Sequence, residues 1–143
     1  MHMKTGAASR TRVLASVRVP AAMENLMMLR ALTETVALVG DYAVDQAADI
    51  RLAVDEVVTA LVLDAVGDSM IDCAFYPHRP GMDVRVSAVL TVADAPDENS
   101  FGWHVLTTLT DQVSVERDGY DEAVGGYPVV VEFRCATGSV DVD

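Results

Sequence analysis

Residues 49–66, DIRLAVDEVVTALVLDAV, constrain the fold more than any other stretch. Apolar residues recur at Ile50, Ala53, Val54, Val57, Leu61, Val62 and Ala65, the three-and-four spacing that turns one stripe of a helix to a core. Asp45 stands ahead as a candidate N-cap, Asp49 puts acid in the first turn where the helix dipole favours it, and Gly67 follows as a stop. A second line, Leu52, Glu56, Thr59 with Ala60, and Leu63, carries one carboxylate on a mostly apolar flank. Such a carboxylate is either solvated at the helix edge or set in a pocket.

Around this helix the other elements fall in order. Residues 12–19 alternate Val13, Ala15, Val17 and Val19 with Arg12, Leu14, Ser16 and Arg18, the period of a half-exposed strand that Pro20 ends. Residues 21–39 read as a helix with Leu26, Leu29, Leu32 with Thr33, Val36 and Val39 inward, stopped by Gly40. Residues 69–77 and 82–92 form a hairpin about the turn His78-Arg79-Pro80-Gly81, with Met82, Val84, Val86, Ala88, Leu90 and Val92 facing one way and Asp83 the other. An acidic loop at 93–99 precedes a short helix at 101–110, a strand at 112–117, a glycine-rich turn at 118–126 and a last strand at 127–135. Three helices on one face of a mixed, mostly antiparallel sheet make a two-layer α/β sandwich. One domain is expected over 12–136, with a disordered tail at 1–11 and a loose one at 137–143.

Composition narrows the function. No apolar run reaches membrane-spanning length and the start, MHMKTGAASRTR, has no signal-peptide core, so the expected compartment is the cytoplasm. Cys73 and Cys135 lie in strand-like stretches and read as buried thiols; without paired histidines they make no zinc site, and no metal site is expected. The net charge of −12, with a single lysine, disfavours direct nucleic-acid binding and suits a basic protein partner.

The central stretch also resembles a known family. LAVDEVVTALVLDA is similar to the first motif of the RsbW/SpoIIAB anti-sigma factors, small serine kinases of the gyrase–histidine kinase–MutL ATPase superfamily. That motif runs roughly L-A-V-x-E-x-x-T-N-x-x-x-H-A. The chain keeps Leu52, Ala53, Val54, Glu56, Thr59 and Ala65 and departs from it at Ala60 and Asp64. FGWHVLTTLTDQVSVE resembles the family's later segment, with Gly102 left of a G-x-G and with Trp103, Val105, Leu106, Leu109, Asp111 and Val113 fitting the rest. The resemblance covers about Val13 to Cys135 and is closest to short actinobacterial members.

The resemblance implies a Bergerat-type sandwich in which Glu56 stands at the catalytic base, Thr59 shapes the same pocket and Ala60 replaces the magnesium-binding Asn. It places Asp94 at the adenine-binding Asp and Gly102 at the phosphate loop. The D-x-G-x-G that follows the third strand in ATP-binding members is here Asp94-Ala95-Pro96-Asp97, with no glycine and almost no lid. Backbone that must approach phosphates closely needs glycine, and magnesium wants a near-complete octahedron of oxygens. The expectation is therefore an anti-sigma factor with a degenerate ATP site and no resident cofactor, which binds a sigma factor and is released by an anti-anti-sigma partner. The alternative is an ATP-dependent serine/threonine-protein kinase acting on that partner through Glu56 and Asp94. A third reading is a scaffold that has lost sigma binding. The resemblance also places Arg30 at the surface that touches both partners, padded by Met23 and Met27, and implies a homodimer formed through Val13–Arg30. Trp103 is either a core anchor or a wall of the remnant pocket; His104 is assigned no chemistry.

Overall fold

A computed structural model of the chain describes residues 12–136; the expectations for 1–11 and 137–143 lie outside the described residues. Strand β1 (Ala15–Pro20) leads through a 3-10 turn at Met23–Asn25 into helices α1 (Leu26–Val39) and α2 (Val44–Leu63). Strands β2 (Met70–His78) and β3 (Gly81–Leu90), helix α3 (Phe101–Leu109) and strands β4 (Gln112–Arg117) and β5 (Tyr127–Cys135) follow. The strands form one sheet in the order β1-β2-β3-β5-β4. Every neighbouring pair is antiparallel, so the sheet expected to be mixed has one pairing sense throughout. The reason is the return path: β4 and β5 come back as a hairpin, and its second strand inserts beside β3.

Alternation sorts the strands into a core face and an open face. Ile71, Cys73 and Phe75, Met82, Val84, Val86 and Leu90, and Val129, Val131, Phe133 and Cys135 are buried. The register stacks them in rows, Phe75 opposite Val84 opposite Phe133, and Cys73 opposite Val86 opposite Val131. Helix α2 covers these rows with Ile50, Ala53, Val54, Val57, Val58 and Leu61. Helix α1 adds Leu29, Thr33, Val36 and Ala37, and α3 adds Trp103 and Leu106. The buried Thr33 hydroxyl is satisfied by donating to the Leu29 carbonyl at 2.7 Å. Both cysteines are buried free thiols, and burial pushes each up to about 12.

Several local expectations shift, each through a distant contact. Helix α2 begins at Val44, with Ala43 rather than Asp45 at the N-cap; Asp45 lies in the first turn. Its first turn is anchored by Gln46, whose buried side-chain amide donates to the Pro80 carbonyl at 2.7 Å and also to that of Ala136. It ends at Leu63, before Gly67, because the Asp64 carbonyl accepts from the Thr91 N–H at 2.8 Å and Ala65 bridges to Leu90. Helix α1 starts at Leu26, after Asn25 turns back to donate to the Pro20 carbonyl at 2.7 Å. Val39 is 68% exposed, because Ala37 takes the inward position. Val13 and Val92, expected inward, lie exposed beyond the ends of β1 and β3. Asp83 does face the open side of the sheet but is buried there, paired with Arg134 at 2.7 Å and with His78 at 3.6 Å.

The corner between α1 and α2 is fixed to the β2–β3 turn by Tyr42. Its hydroxyl donates to the Gly81 carbonyl at 2.7 Å, and the Arg79 guanidinium lies 4.5 Å above its ring. Gly40 is glycine for this reason: a methyl group there would stand 2.6 Å from the Tyr42 ring.

Candidate functional site

Glu56, Thr59 and Ala60 lie on the flank of α2 that looks toward the start of α3. All three are partly buried, and the Ala60 methyl packs against the core where the resemblance calls for an oxygen ligand. Glu56 meets the first turn of α3 so closely that a methyl group on Gly102 would come within 2.6 Å of its Oε1. Glu56 and Gly102, far apart in sequence, are thus brought together. Burial raises the Glu56 pKa above the ordinary carboxylate value, and the charge of Asp55 adds to the rise. The N-terminus of α3 already has a cap, since Ser100 Oγ accepts from the Trp103 N–H at 3.1 Å.

Asp94 lies exposed on the loop between β3 and α3. The loop itself is held down. Ala95 and Pro96 are buried, and Arg117 at the end of β4 donates to the Ala95 carbonyl at 3.0 Å and to the Pro96 carbonyl at 2.8 Å while pairing with Glu98 at 3.0 Å. The two carbonyls are committed to that guanidinium, and a proline stands where a nucleotide-binding loop would carry glycine. At residue 60 an alanine offers no oxygen to a metal, and Pro96 has no backbone N–H to give to a phosphate. Arg117 was beyond a sequence reading, because an arginine closing an alternating strand looks like any solvated end.

The second group lies on α1 and the 3-10 turn before it. Met27 is 75% exposed, with Met23 and Met28 beside it about half exposed. Arg30 is partly exposed and faces α2, where its Nε and Nη2 each approach Asp55 Oδ2 at 3.1 Å. A half-exposed pair of this kind is worth less than about 1 kcal/mol, so its effect is to orient the guanidinium rather than to hold the fold. Asp55 is the residue that sequence reasoning missed. It sits off the inward stripe and becomes meaningful only once α1 and α2 pack antiparallel. Trp103 is buried as a core anchor, and His104 is exposed. Among the described residues no group of His, Cys, Asp and Glu is arranged to hold a metal ion, and no helix is long and apolar enough to cross a membrane.

No family model matches the chain. It is 38% identical over 125 residues, 86% of its own length and 74% of theirs, to the anti-sigma-F factor RsbW of two strains of Mycobacterium tuberculosis. Among solved structures, the SiaB–SiaC complex from Pseudomonas aeruginosa contains a chain that superposes with a TM-score of 0.67, covering 91% of this chain and 94% of that one. The sequence identity there is 8%, and the likeness is one of fold.

Proposed function

The chain belongs to the family of the anti-sigma factor RsbW, and from that premise we propose that it sequesters a sigma factor in the cytoplasm as a protein-binding module without using ATP. The docking face is the exposed surface of α1 and of the turn before it, with Arg30, at the seam with α2, as its anchor and Met23 and Met27 as adaptable apolar padding. Arginine suits the centre of such a face because its planar fork matches acidic and carbonyl partners, and Asp55 holds that fork in place. Release then needs no phosphorylation. An anti-anti-sigma protein that competes for the same face frees the sigma factor by mass action, provided it is tighter or more abundant. We further propose a homodimer through the free edge of β1, where Val13 and Leu14 stand exposed ahead of the strand.

The observation that carries the ATP-independent reading is the loop after β3, pinned through two carbonyls by Arg117. Titrating the purified chain with Mg-ATP in a calorimeter tests it. The expected result is no binding heat at millimolar nucleotide. A micromolar Kd would replace this reading with the kinase one, and Glu56 and Asp94 would be the first residues to change.

A further inference from the structure

Helices α1 and α2 pack antiparallel, and their outer seam is laced at regular steps. Arg30 pairs with Asp55 at 3.1 Å, and one turn on Glu34 pairs with Arg51 at 3.2 Å. One turn further, where a third pair would fall, stand Leu38 and Ala47. A large side chain facing alanines leaves a gap. There the seam opens into a groove of about 420 Å³ lined by Leu38, Tyr42, Val44, Ala47 and Ala48 and closed at one end by the Glu34–Arg51 pair. Leu38 is 80% exposed and Val44 84%. Neither contributes to the core, and both stand on the one groove.

The charge around the groove selects the occupant. Glu34, Asp41 and Asp45 are exposed carboxylates on the seam, the corner and the first turn of α2. The nearby cations are engaged: Arg51 with Glu34, and Arg79 with the Gly40 carbonyl and the Tyr42 ring. Asp41 and Asp45 have no ion pair among the described residues. A second copy of a chain with net charge −12 would bring carboxylates against carboxylates here. We propose that this groove is a second docking surface, which takes a cationic amphipathic helix of a partner protein. The helix lays apolar side chains spaced three and four apart on Leu38, Ala47 and Ala48, and its flanking lysines or arginines meet Asp41 and Asp45. Leu38 is eight residues along α1 from Arg30, about 12 Å, so the surface stands whether or not Arg30 contacts a sigma factor.

The probe is a synthetic helical peptide with leucines at that spacing and lysine flanks, set against one with the same leucines and glutamate flanks. Binding is read on the full chain by amide NMR. The cationic peptide is expected to shift amides within residues 34–51. In the chain carrying Leu38→Ser and Val44→Ser its affinity falls at least about tenfold, while Arg30→Glu leaves it unchanged. Both serine substitutions are at exposed positions, and a retained amide spectrum shows the fold intact. Three results would overturn the proposal: shifts scattered over the acidic surface and indifferent to the serine variant, equal binding of the glutamate-flanked peptide, or the same amides shifting with protein concentration alone, which would make the occupant a second copy.

Discussion

Arg30→Glu is expected to weaken sigma-factor capture by at least about thirtyfold, the loss typical of removing a central interface anchor worth 2 kcal/mol or more. The substitution acts in three ways at once. It removes the fork of donors, it sets a carboxylate beside Asp55 so that the side chain swings outward, and it reverses the charge shown to the partner. Stability should hardly move, because the native pair is partly exposed and worth less than about 1 kcal/mol. A titration of fluorescent cognate sigma factor, run beside a thermal melt, separates the two effects. Unchanged affinity in a folded variant would mean that the exposed surface of α1 is not the docking face, and would favour the scaffold reading in which sigma binding has been lost.

Phe75→Ala carries the largest expected cost to the fold, about 3–5 kcal/mol of unfolding free energy. Phe75 is wholly buried in β2, opposite Val84 and in one row with Phe133. The row lies under the core stripe of α2, so the cavity is walled by strand backbone on one side and helix on the other and cannot collapse easily. Against a total of about 5–15 kcal/mol for an ordinary domain, such a loss leaves the chain marginal. Urea unfolding measures it. A cost below about 1 kcal/mol would show that the helical layer does not rest on this row.

What the sequence made legible and what it concealed divide along one line. The bounds of β4 and β5 were readable because alternation ran between clear turn residues. The inward stripe of α2 was readable because Ile50, Ala53, Val54, Val57 and Leu61 repeat at helical spacing; Ala65 falls past the end of the helix. Its ends were not, since Gln46 reaches to Pro80 and Ala136 and Asp64 to Thr91, contacts that no local pattern encodes. Asp83 was correctly placed on the open face, yet its burial depends on Arg134 from a strand 51 residues away. The candidate site followed the same rule. Resemblance pointed to Glu56 and Gly102, and the fold places them in contact. It could not foresee that Arg117 fastens the loop carrying Asp94, nor that Asp55 takes hold of Arg30. Both are pairings of ordinary surface residue types, created by packing.

A helix terminus capped by its own serine, an alanine in place of the metal ligand and a loop fixed by an arginine are each small changes. Together they support the proposed reading, in which α1 and α2 serve as the binding face and no nucleotide is needed.

Sequestration without ATP is tested most directly by the affinity of the purified chain for its cognate sigma factor, measured in nucleotide-free buffer and again with Mg-ATP. Tight capture is expected in the first buffer and the same Kd in the second. Capture that appears only with Mg-ATP, or that tightens at least about tenfold with it, would contradict sequestration without ATP and restore a working nucleotide site.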